Sequence, residues 1–360
     1  MDLAKLGWTG FFDEQFAPFR AEGLSAARVV REQKSVYLVI GETGELTAEV
    51  SGRLRHDATS HSALPAVGDW VAVELRPDAE AVIHAVLPRK SCFSRKKAGT
   101  VTEEQVIAAN LDRVLLVSGL DGGRNFNVAR IERYLTLARE SGVAPVIVLN
   151  KADLCEDVAS CVARVAPVAA GVPVHVTSAL TCLGLDGLRG EIAPGQTVAF
   201  LGPSGVGKSS LINDLLGEDR LPVGEVRPVD VKGRQTTTWR ELITLPGGGL
   251  VIDTPGIREL QMWGDEETLA DSFADIEELA LGCKYGDCEH RTEPGCAVKT
   301  AVEAGTLDPR RLESFQKQQK ELQHLARKQS ERARHEEKAR GKKFGRLVND
   351  FKRHNPKRQD

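Results

Sequence analysis

The chain has 360 residues, 41% of them hydrophobic, and its 48 Lys and Arg nearly balance 51 Asp and Glu for a net charge of −3. That length allows two or three domains with real cores. The seven cysteines, three clustered at 283, 288 and 296 and four scattered at 92, 155, 161 and 182, exclude a secreted disulfide framework. No apolar run approaches 18 residues and the amino terminus lacks a basic-then-apolar leader, so a cytoplasmic protein without a membrane contact is expected. The near-neutral balance hides an asymmetry. From Asp308 on there are 17 Lys and Arg against 8 Asp and Glu, which leaves the rest of the chain with twelve net negative charges.

From about Arg28 to Ser94 the sequence reads as short strands with turn punctuation and no intervening helix. RVVREQKSVYLVI breaks at Gly41-Glu42-Thr43-Gly44, ELTAEVSGRL follows, and GDWVAVELRP and AVIHAVLPR are separated by Pro77-Asp78. This pattern predicts a small barrel over residues 1–95, with an OB fold the leading candidate, preceded by an amino-terminal extension. Such a barrel serves as a nucleic-acid platform or as a docking domain.

From about Gln105 the pattern turns to α/β. DRVLLVSGL is a buried strand, VARIERYLTLARESG an amphipathic helix ending at Gly142, and APVIVL a strand running into Asn150-Lys151-Ala152-Asp153. VPVHVTSAL is a further strand ending at Thr177-Ser178-Ala179. LDGLRGEI is helical, TVAFL is a strand, SSLINDLLG a helix, and GGLVID a strand ending in Asp253. Alternation of this kind predicts a parallel, doubly wound sheet over about residues 100–262.

Three motifs sit at the ends of those strands. Gly202-Pro203-Ser204-Gly205-Val206-Gly207-Lys208-Ser209, with Ser210 after it, is a Walker A loop in the required strand–loop–helix setting. Its backbone N–H groups would curl around a β-phosphate at a helix N-terminus, Lys208 would reach the β- and γ-phosphate oxygens, and Ser209 would ligate Mg²⁺. NKAD distinguishes the base: the Asp153 carboxylate can accept from the N1–H and exocyclic amine of guanine, which adenine does not offer. Asn150 would hold the base edge and brace the loop, Lys151 would cover the base face, and a backbone N–H at Ser178-Ala179 would meet the guanine O6. Asp253-Thr254-Pro255-Gly256 would hold Mg²⁺ through water at Asp253 and face the γ-phosphate at the Gly256 N–H. One of Thr236, Thr237 and Thr238, with Thr237 favoured, would complete the Mg²⁺ shell. Ile257 occupies the position where Ras-like enzymes carry a water-orienting Gln. A low intrinsic rate is expected, completed by a partner or by Gln235 or Arg258.

These motifs stand in an unusual order, with the base reader before the phosphate loop. Joining the old termini between Ala179 and Gly202 and reopening the chain elsewhere keeps every strand in place, because domain termini lie close together. The new carboxyl end then follows Gly233–Thr238 and Asp253–Ile257, so any domain after Ile257 is tethered to the parts that move on hydrolysis.

Beyond Gly264 an acidic helical stretch leads to Cys283, Cys288, His290 and Cys296 in a C-x4-C-x-H-x5-C array. Three thiolates and an imidazole suit a closed structural Zn²⁺ site, one per chain, in a helical domain over about residues 263–310. Residues 311–360 are charged and read as a basic helical tail largely without a core stripe. A short apolar face there, Phe344, Leu347, Val348 and Phe351, is flanked by Lys and Arg and suits RNA phosphate contact.

With these pieces in place the chain resembles the ribosome small subunit-dependent GTPase A family over nearly its whole length. The resemblance is carried by PAVGDWV, LPRKSCFSRK, QVIAANLDRVLLV, FNVARIERYL, NKAD, GPSGVGKSSLIN, the threonine run, DTPGIREL and the Cys/His array. It implies an OB barrel, a circularly permuted GTPase domain and a zinc domain. It also implies a late role in small-subunit maturation, with hydrolysis of GTP to GDP stimulated by the subunit and contacts to its rRNA. A monomer is expected. The family places a His before the threonine run where this chain has Gln235, so a catalytic histidine does not transfer. A GTP-gated RNA-binding module, or a GTPase serving another RNA, is the alternative.

Overall fold

The computed structural model describes residues 1–33, 35–58, 60–96, 104–122, 125–169, 171–221, 240–253, 269–270, 272–286 and 288–323. Its amino-terminal unit is a five-stranded barrel. Strands β1 (Ser25–Gln33), β2 (Val36–Gly41), β3 (Gly44–Val50), β4 (Trp70–Arg76) and β5 (Glu80–Val86) pair in the order 1-2-3-5-4, and a β1–β4 pairing closes the circle. All contacts are antiparallel except β3 with β5, which is the OB arrangement expected from the sequence. Alternation along the strands sends Ala27, Val29, Tyr37, Val39, Leu46, Ala48, Val71, Val73 and Ile83 into the barrel. A helix absent from the sequence reading, α1 (Gly10–Ala21), lies on the outside and buries Phe12 and Phe16, with Trp8 edge-on to Trp70 at 4.7 Å between ring centroids. A second, α2 (Gly52–Asp57), stands between β3 and β4 and corrects the expectation of no intervening helix; its N-cap Ser51 accepts from the Leu54 N–H, and none of its residues is buried, so it leaves no apolar pattern to read.

The same alternation turns Arg28 outward, yet it is only 1% exposed, because the outer face of β1 is the seam with the next domain. Its guanidinium donates to the carbonyl oxygens of Leu6, Gly68 and Asn110, so one side chain ties the amino-terminal segment, the barrel and the connection to the α/β domain. Burial pulls its pKa down to about 10, which leaves it charged at neutral pH. Gly68 belongs to the same seam. Its φ is +92°, and a Cβ there would stand 2.2 Å from the Ala109 carbonyl oxygen. Beside it, buried Asp69 takes a two-pronged bond from Arg89, at 2.8 and 2.7 Å. Burial nonetheless raises the Asp69 carboxyl pKa, so the pair fixes position more than it stabilises. The motifs PAVGDWV and LPRKS are thereby structural.

A hairpin of β6 (Cys92–Lys96) and β7 (Glu104–Ala109) leads into the α/β domain. There β8 (Arg113–Gly119), β9 (Ala144–Asn150), β10 (Val174–Val176), β11 (Thr197–Leu201), β12 (Glu241–Thr244) and β13 (Leu250–Asp253) run in the order 10-9-8-11-13-12. All neighbours are parallel except β12 with β13. Helices α3 (Val128–Glu140) and α4 (Val158–Ala169) cover one face with Val114, Leu116, Ile147 and Leu149. Helices α5 (Leu185–Gly190) and α6 (Lys208–Leu216) cover the other with Leu115, Val117, Val146 and Val148. One bridge, Arg31 to Glu241, joins β1 to β12 and makes the barrel and the α/β sheet continuous.

The carboxyl-terminal lobe contains helices Ala274–Ala280 and Ala297–Glu303 and a helix over 309–323. That last helix corrects the expectation of a segment without a core stripe. Arg311, Phe315, Gln318 and Leu322 share one face, and Phe315, Gln318 and Leu322 are buried. Polar residues at two of these stripe positions hide the pattern from hydropathy. Arg311 fastens the lobe to the α/β domain: it pairs with Glu132 of α3 and with Asp275, and its guanidinium carbon lies 4.8 Å from the Phe273 ring centroid. Residues from 324 on, including the Phe344–Phe351 face, lie outside the described residues.

Glu132 is 5% exposed, and its carboxyl pKa is raised by burial despite Arg311. Replacing Arg311 with Ala removes the cationic partner of that carboxylate, leaving it the Ser314 hydrogen bond, and should cost about 3 kcal/mol. Without Arg311 the Glu132 pKa rises further above its unfolded value, a penalty that applies above the folded pKa and is relieved below it. Asp275, whose pKa Arg311 holds down against the opposing effect of burial, contributes stability present above pH 3.8 and lost as pH falls through its depressed value. Both signs agree. Urea titration should show the largest gap between Arg311→Ala and wild type at neutral pH, narrowing as the pH falls.

Candidate functional site

Every strand of the parallel sheet ends at one edge, and the described residues of the NKAD and Walker A motifs lie there with Asp253. Gly119 and Asn150 are register partners at the ends of β8 and β9. Thr177 follows β10, Gly202 follows β11, and Asp253 closes β13. The loop from Gly202 to Gly207 leads straight into α6, which begins at Lys208. The N–H groups of that first turn have no partner within the helix, so they face the loop as anion donors.

The structure brings the base motif and the phosphate loop into direct contact. Asn150 is 1% exposed, and its Nδ2 donates to the Val206 carbonyl oxygen at 2.8 Å. Its Oδ1 accepts from Thr177 Oγ1 at 3.1 Å. The amide therefore ties the end of β9 to the residue after β10 and to the phosphate loop, and bracing is the role the geometry displays for it. Gly207 makes room for this bond. Its φ is +93°, and a Cβ at that position would lie 2.3 Å from Asn150 Nδ2.

The neighbouring residues are oriented with equal care. Lys151 adopts a left-handed backbone, φ +64°, and its Nζ lies 2.9 Å from Asp121 Oδ2. Ala152 is buried, and its N–H donates to the Thr177 carbonyl oxygen at 3.1 Å. Asp153 is exposed, but Ser178 Oγ donates to its Oδ1 and fixes the carboxylate. The Ser178 N–H donates to Leu183 O at 3.1 Å, closing the turn that carries Ala179. Lys208 Nζ donates to the carbonyl oxygens of Gly202 and Pro203 at 2.9 and 2.8 Å, so its ammonium sits over the loop. Val206 is fully buried under it, whereas Ser204 is exposed and Gly205, Ser209 and Ser210 are half-buried. Gly233–Thr238, which includes Thr237, and Thr254–Arg258, which includes Gly256 and Ile257, lie outside the described residues. Asp121 escaped the sequence reading. The only signal available was a lone carboxylate after an apolar strand, which nothing in the chain separates from a surface Asp.

The Cys/His array folds into one cluster. The ligand atoms of Cys283, Cys288, His290 and Cys296 lie within 4.8 Å of one another. Cys283 Sγ to Cys296 Sγ is 3.9 Å, Cys283 Sγ to His290 Nδ1 3.7 Å and Cys296 Sγ to His290 Nδ1 3.4 Å. A tetrahedral ion with metal–sulfur bonds of about 2.3 Å and a metal–nitrogen bond of about 2.05 Å has edges of about 3.8 and 3.6 Å. The set fits such an ion, and Nδ1 is the nitrogen presented. Burial lowers the His290 pKa, which favours the neutral, ligating imidazole. Burial alone would raise the Cys283 thiol. The N–H groups of Val298 and Ala297, with the Cys296 and Cys288 thiols, together bring its net shift downward, whereas burial and the neighbouring thiols push Cys288 up to about 11.

A family model described as "RsgA GTPase" matches residues 86–263, and one described as "50S ribosome-binding GTPase" matches residues 197–332. The chain is similar to a small ribosomal subunit biogenesis GTPase RsgA of Opitutus terrae, 49% identical over 91% of this chain and 92% of the relative. It is also similar to the small ribosomal subunit biogenesis GTPase RsgA 2 of Vibrio parahaemolyticus, 42% identical over 99% of this chain and 94% of the relative. Among solved structures, YjeQ from Thermotoga maritima superposes with a TM-score of 0.62 at 30% identity, covering 83% of this chain and 98% of that one. YloQ, described as a circularly permuted GTPase, gives a TM-score of 0.57 at 27% identity over 84% of this chain and 96% of that one.

Asn150→Ala leaves the Val206 carbonyl and the Thr177 hydroxyl buried without their partner. Thermal or urea unfolding should register a loss of about 1–3 kcal/mol. Guanine-nucleotide affinity should fall at least roughly tenfold, as read by equilibrium titration.

Proposed function

The chain belongs to the RsgA family of circularly permuted GTPases, and from that premise we propose that it works as an RNA-activated checkpoint late in maturation of the small ribosomal subunit. It is a GTP hydrolase of small-subunit biogenesis. The observation that carries the mechanistic reading is the Asn150 bridge, which sets an NKAD motif against a Walker A loop although the chain meets them in reverse order.

In this reading Asp153, already oriented by Ser178, accepts the N1–H and N2–H₂ of guanine. The Ser178 N–H is engaged with Leu183, so the Ala179 N–H is assigned to O6. The backbone from Gly202 to Ser210 cradles the phosphates, and Lys208 exchanges the Gly202 and Pro203 carbonyl oxygens for phosphate oxygens. Ser209, Asp253 and Thr237 supply the oxygen ligands that suit Mg²⁺, directly or through water. Mg²⁺ would neutralise charge on the transferred phosphoryl group. The Gly256 N–H is assigned to the γ-phosphate. Ile257 cannot orient water, so the subunit completes the site, and hydrolysis to GDP and phosphate reports its arrival.

The Cys₃His cluster is assigned one structural Zn²⁺, because a closed set of soft ligands leaves no position for chemistry. Barrel, zinc lobe and basic tail are the assigned rRNA contacts, and the protein is read as a cytoplasmic monomer. The proposed domain limits are 1–95, 100–262, 263–310 and 311–360, with the helix over 309–323 docked on the zinc lobe and α3.

GTP turnover should rise at least roughly tenfold with purified small subunits and not with large ones. No stimulation would overturn the checkpoint reading. Asp153→Asn should weaken GTP binding and improve xanthosine triphosphate binding; unchanged selectivity would remove the base assignment. Elemental analysis should find one zinc per chain, and Cys296→Ser should lose it and expose the lobe to protease.

A further inference from the structure

The geometry points to Asp121 as a positioning residue for guanine-nucleotide binding, acting through Lys151. The proposal rests on the reading that NKAD holds the guanine base.

Lys151 has a task that its own flexibility opposes. Its four-carbon stem is to lie across one face of a flat base, yet a free lysine side chain samples many rotamers and loses about 2 kcal/mol of rotamer entropy when fixed. The structure removes that freedom beforehand. The ammonium is held 2.9 Å from Asp121 Oδ2, with side-chain exposures of 29% for Lys151 and 15% for Asp121. The backbone beneath is set as well, since the αL conformation of Lys151 fixes where the stem departs.

The anchor is itself anchored. Asn125 Nδ2 donates to the same Asp121 Oδ2 at 2.8 Å, and Ser118 Oγ, on a residue 3% exposed, donates to the Asn125 carbonyl oxygen at 2.9 Å. Leu120, next to Asp121, donates its N–H to the Asn150 carbonyl oxygen at 2.8 Å, so Asp121 is registered against the base motif through the backbone too. A relay therefore runs from β8 through Asn125 and Asp121 to Lys151. It lies on the opposite side of the motif from the Ser178 contact that orients Asp153. Two side chains of one motif are thus fixed from two different strands. A structural salt bridge needs neither the shared Asn125 bond nor this placement beside a ligand-covering side chain.

Because guanine is common to both nucleotides, Asp121 should affect GTP and GDP alike. The test uses the full-length protein with zinc bound and an N-methylanthraniloyl GDP probe, competed with unlabelled GTP. Four proteins complete a double-mutant cycle: wild type, Asp121→Asn, Lys151→Ala and the double variant. Asp121→Asn should raise Kd for GDP and GTP by the same factor, about three- to tenfold, with the loss falling on KM rather than kcat. In the Lys151→Ala background the same substitution should add nothing. Asp121→Glu keeps the anion and should retain most of the affinity, and thermal melting of each variant separates misfolding from misplacement.

An equal loss in both backgrounds would show that Asp121 acts on the fold and not through Lys151, and would overturn the proposal. So would wild-type affinity in Asp121→Asn beside a weakened Lys151→Ala. If Lys151→Ala binds as wild type, the base-covering reading fails, and this proposal with it.

Discussion

The nucleotide end of this molecule depends on one amide. Asn150, at the end of β9, donates to Val206 in the phosphate loop and accepts from Thr177, which follows β10. With 1% exposure, the amide has no water to replace these bonds, so losing them leaves buried polar groups without partners. The same edge explains why reversed motif order is harmless. In a parallel sheet all strand ends lie on one side, and what matters is which strands are neighbours. In the order 10-9-8-11-13-12 only β8 separates β9 from β11, and the Asn150–Val206 bond spans that gap whichever motif the ribosome makes first.

Permutation changes what is attached to the nucleotide-sensing strands. β12 directly follows the segment carrying Gly233–Thr238, and β13 directly precedes Thr254–Ile257. The barrel is joined to the first of these by the Arg31–Glu241 bridge and ion pair. The carboxyl-terminal lobe follows the second in the chain. Two of the assigned RNA-contacting modules are thus coupled to the segments expected to respond to the γ-phosphate. A Ras-like order would place other segments there.

Each module is also held by a charged side chain, fully buried at Arg28 and half-buried at Arg311, whose partners come from separate elements. Arg28 serves three carbonyl oxygens at the barrel seam, and Arg311 serves Glu132 and Asp275 at the lobe. Such groups are costly to bury and add modest net stability. Their value is geometric, because a guanidinium satisfied from three directions fixes orientation in a way that apolar packing alone does not. Apolar packing supplies the bulk: one continuous core passes from Phe12 and Trp70 through Ile107 and Leu116 to Phe273 and Phe315.

The sequence by itself determined the barrel, the doubly wound sheet, and the places of the Walker A and NKAD motifs and of the Cys/His array. These are local: period-two alternation, strand–glycine–helix punctuation and closely spaced Cys and His are written in neighbouring residues. Only the tertiary structure decided the rest. Arg28, Asn110 and Gly68 meet across long stretches of chain, and each alone looks like an ordinary strand or loop residue. Helices α1, α2 and α4 and strands β7 and β12 were missed: α1 buries its aromatics on a surface that exists only once the barrel has closed, α4 carries Pro167 inside it, and α2 and β12 are six and four residues long. The helix over 309–323 looked like solvent-exposed tail because Arg311 and Gln318 stand at core positions, and their partners lie on other elements. Asp121 and Lys151 are thirty residues apart, and nothing local couples them. Polar pairing at a distance has no period, so it becomes visible only when the chain has folded.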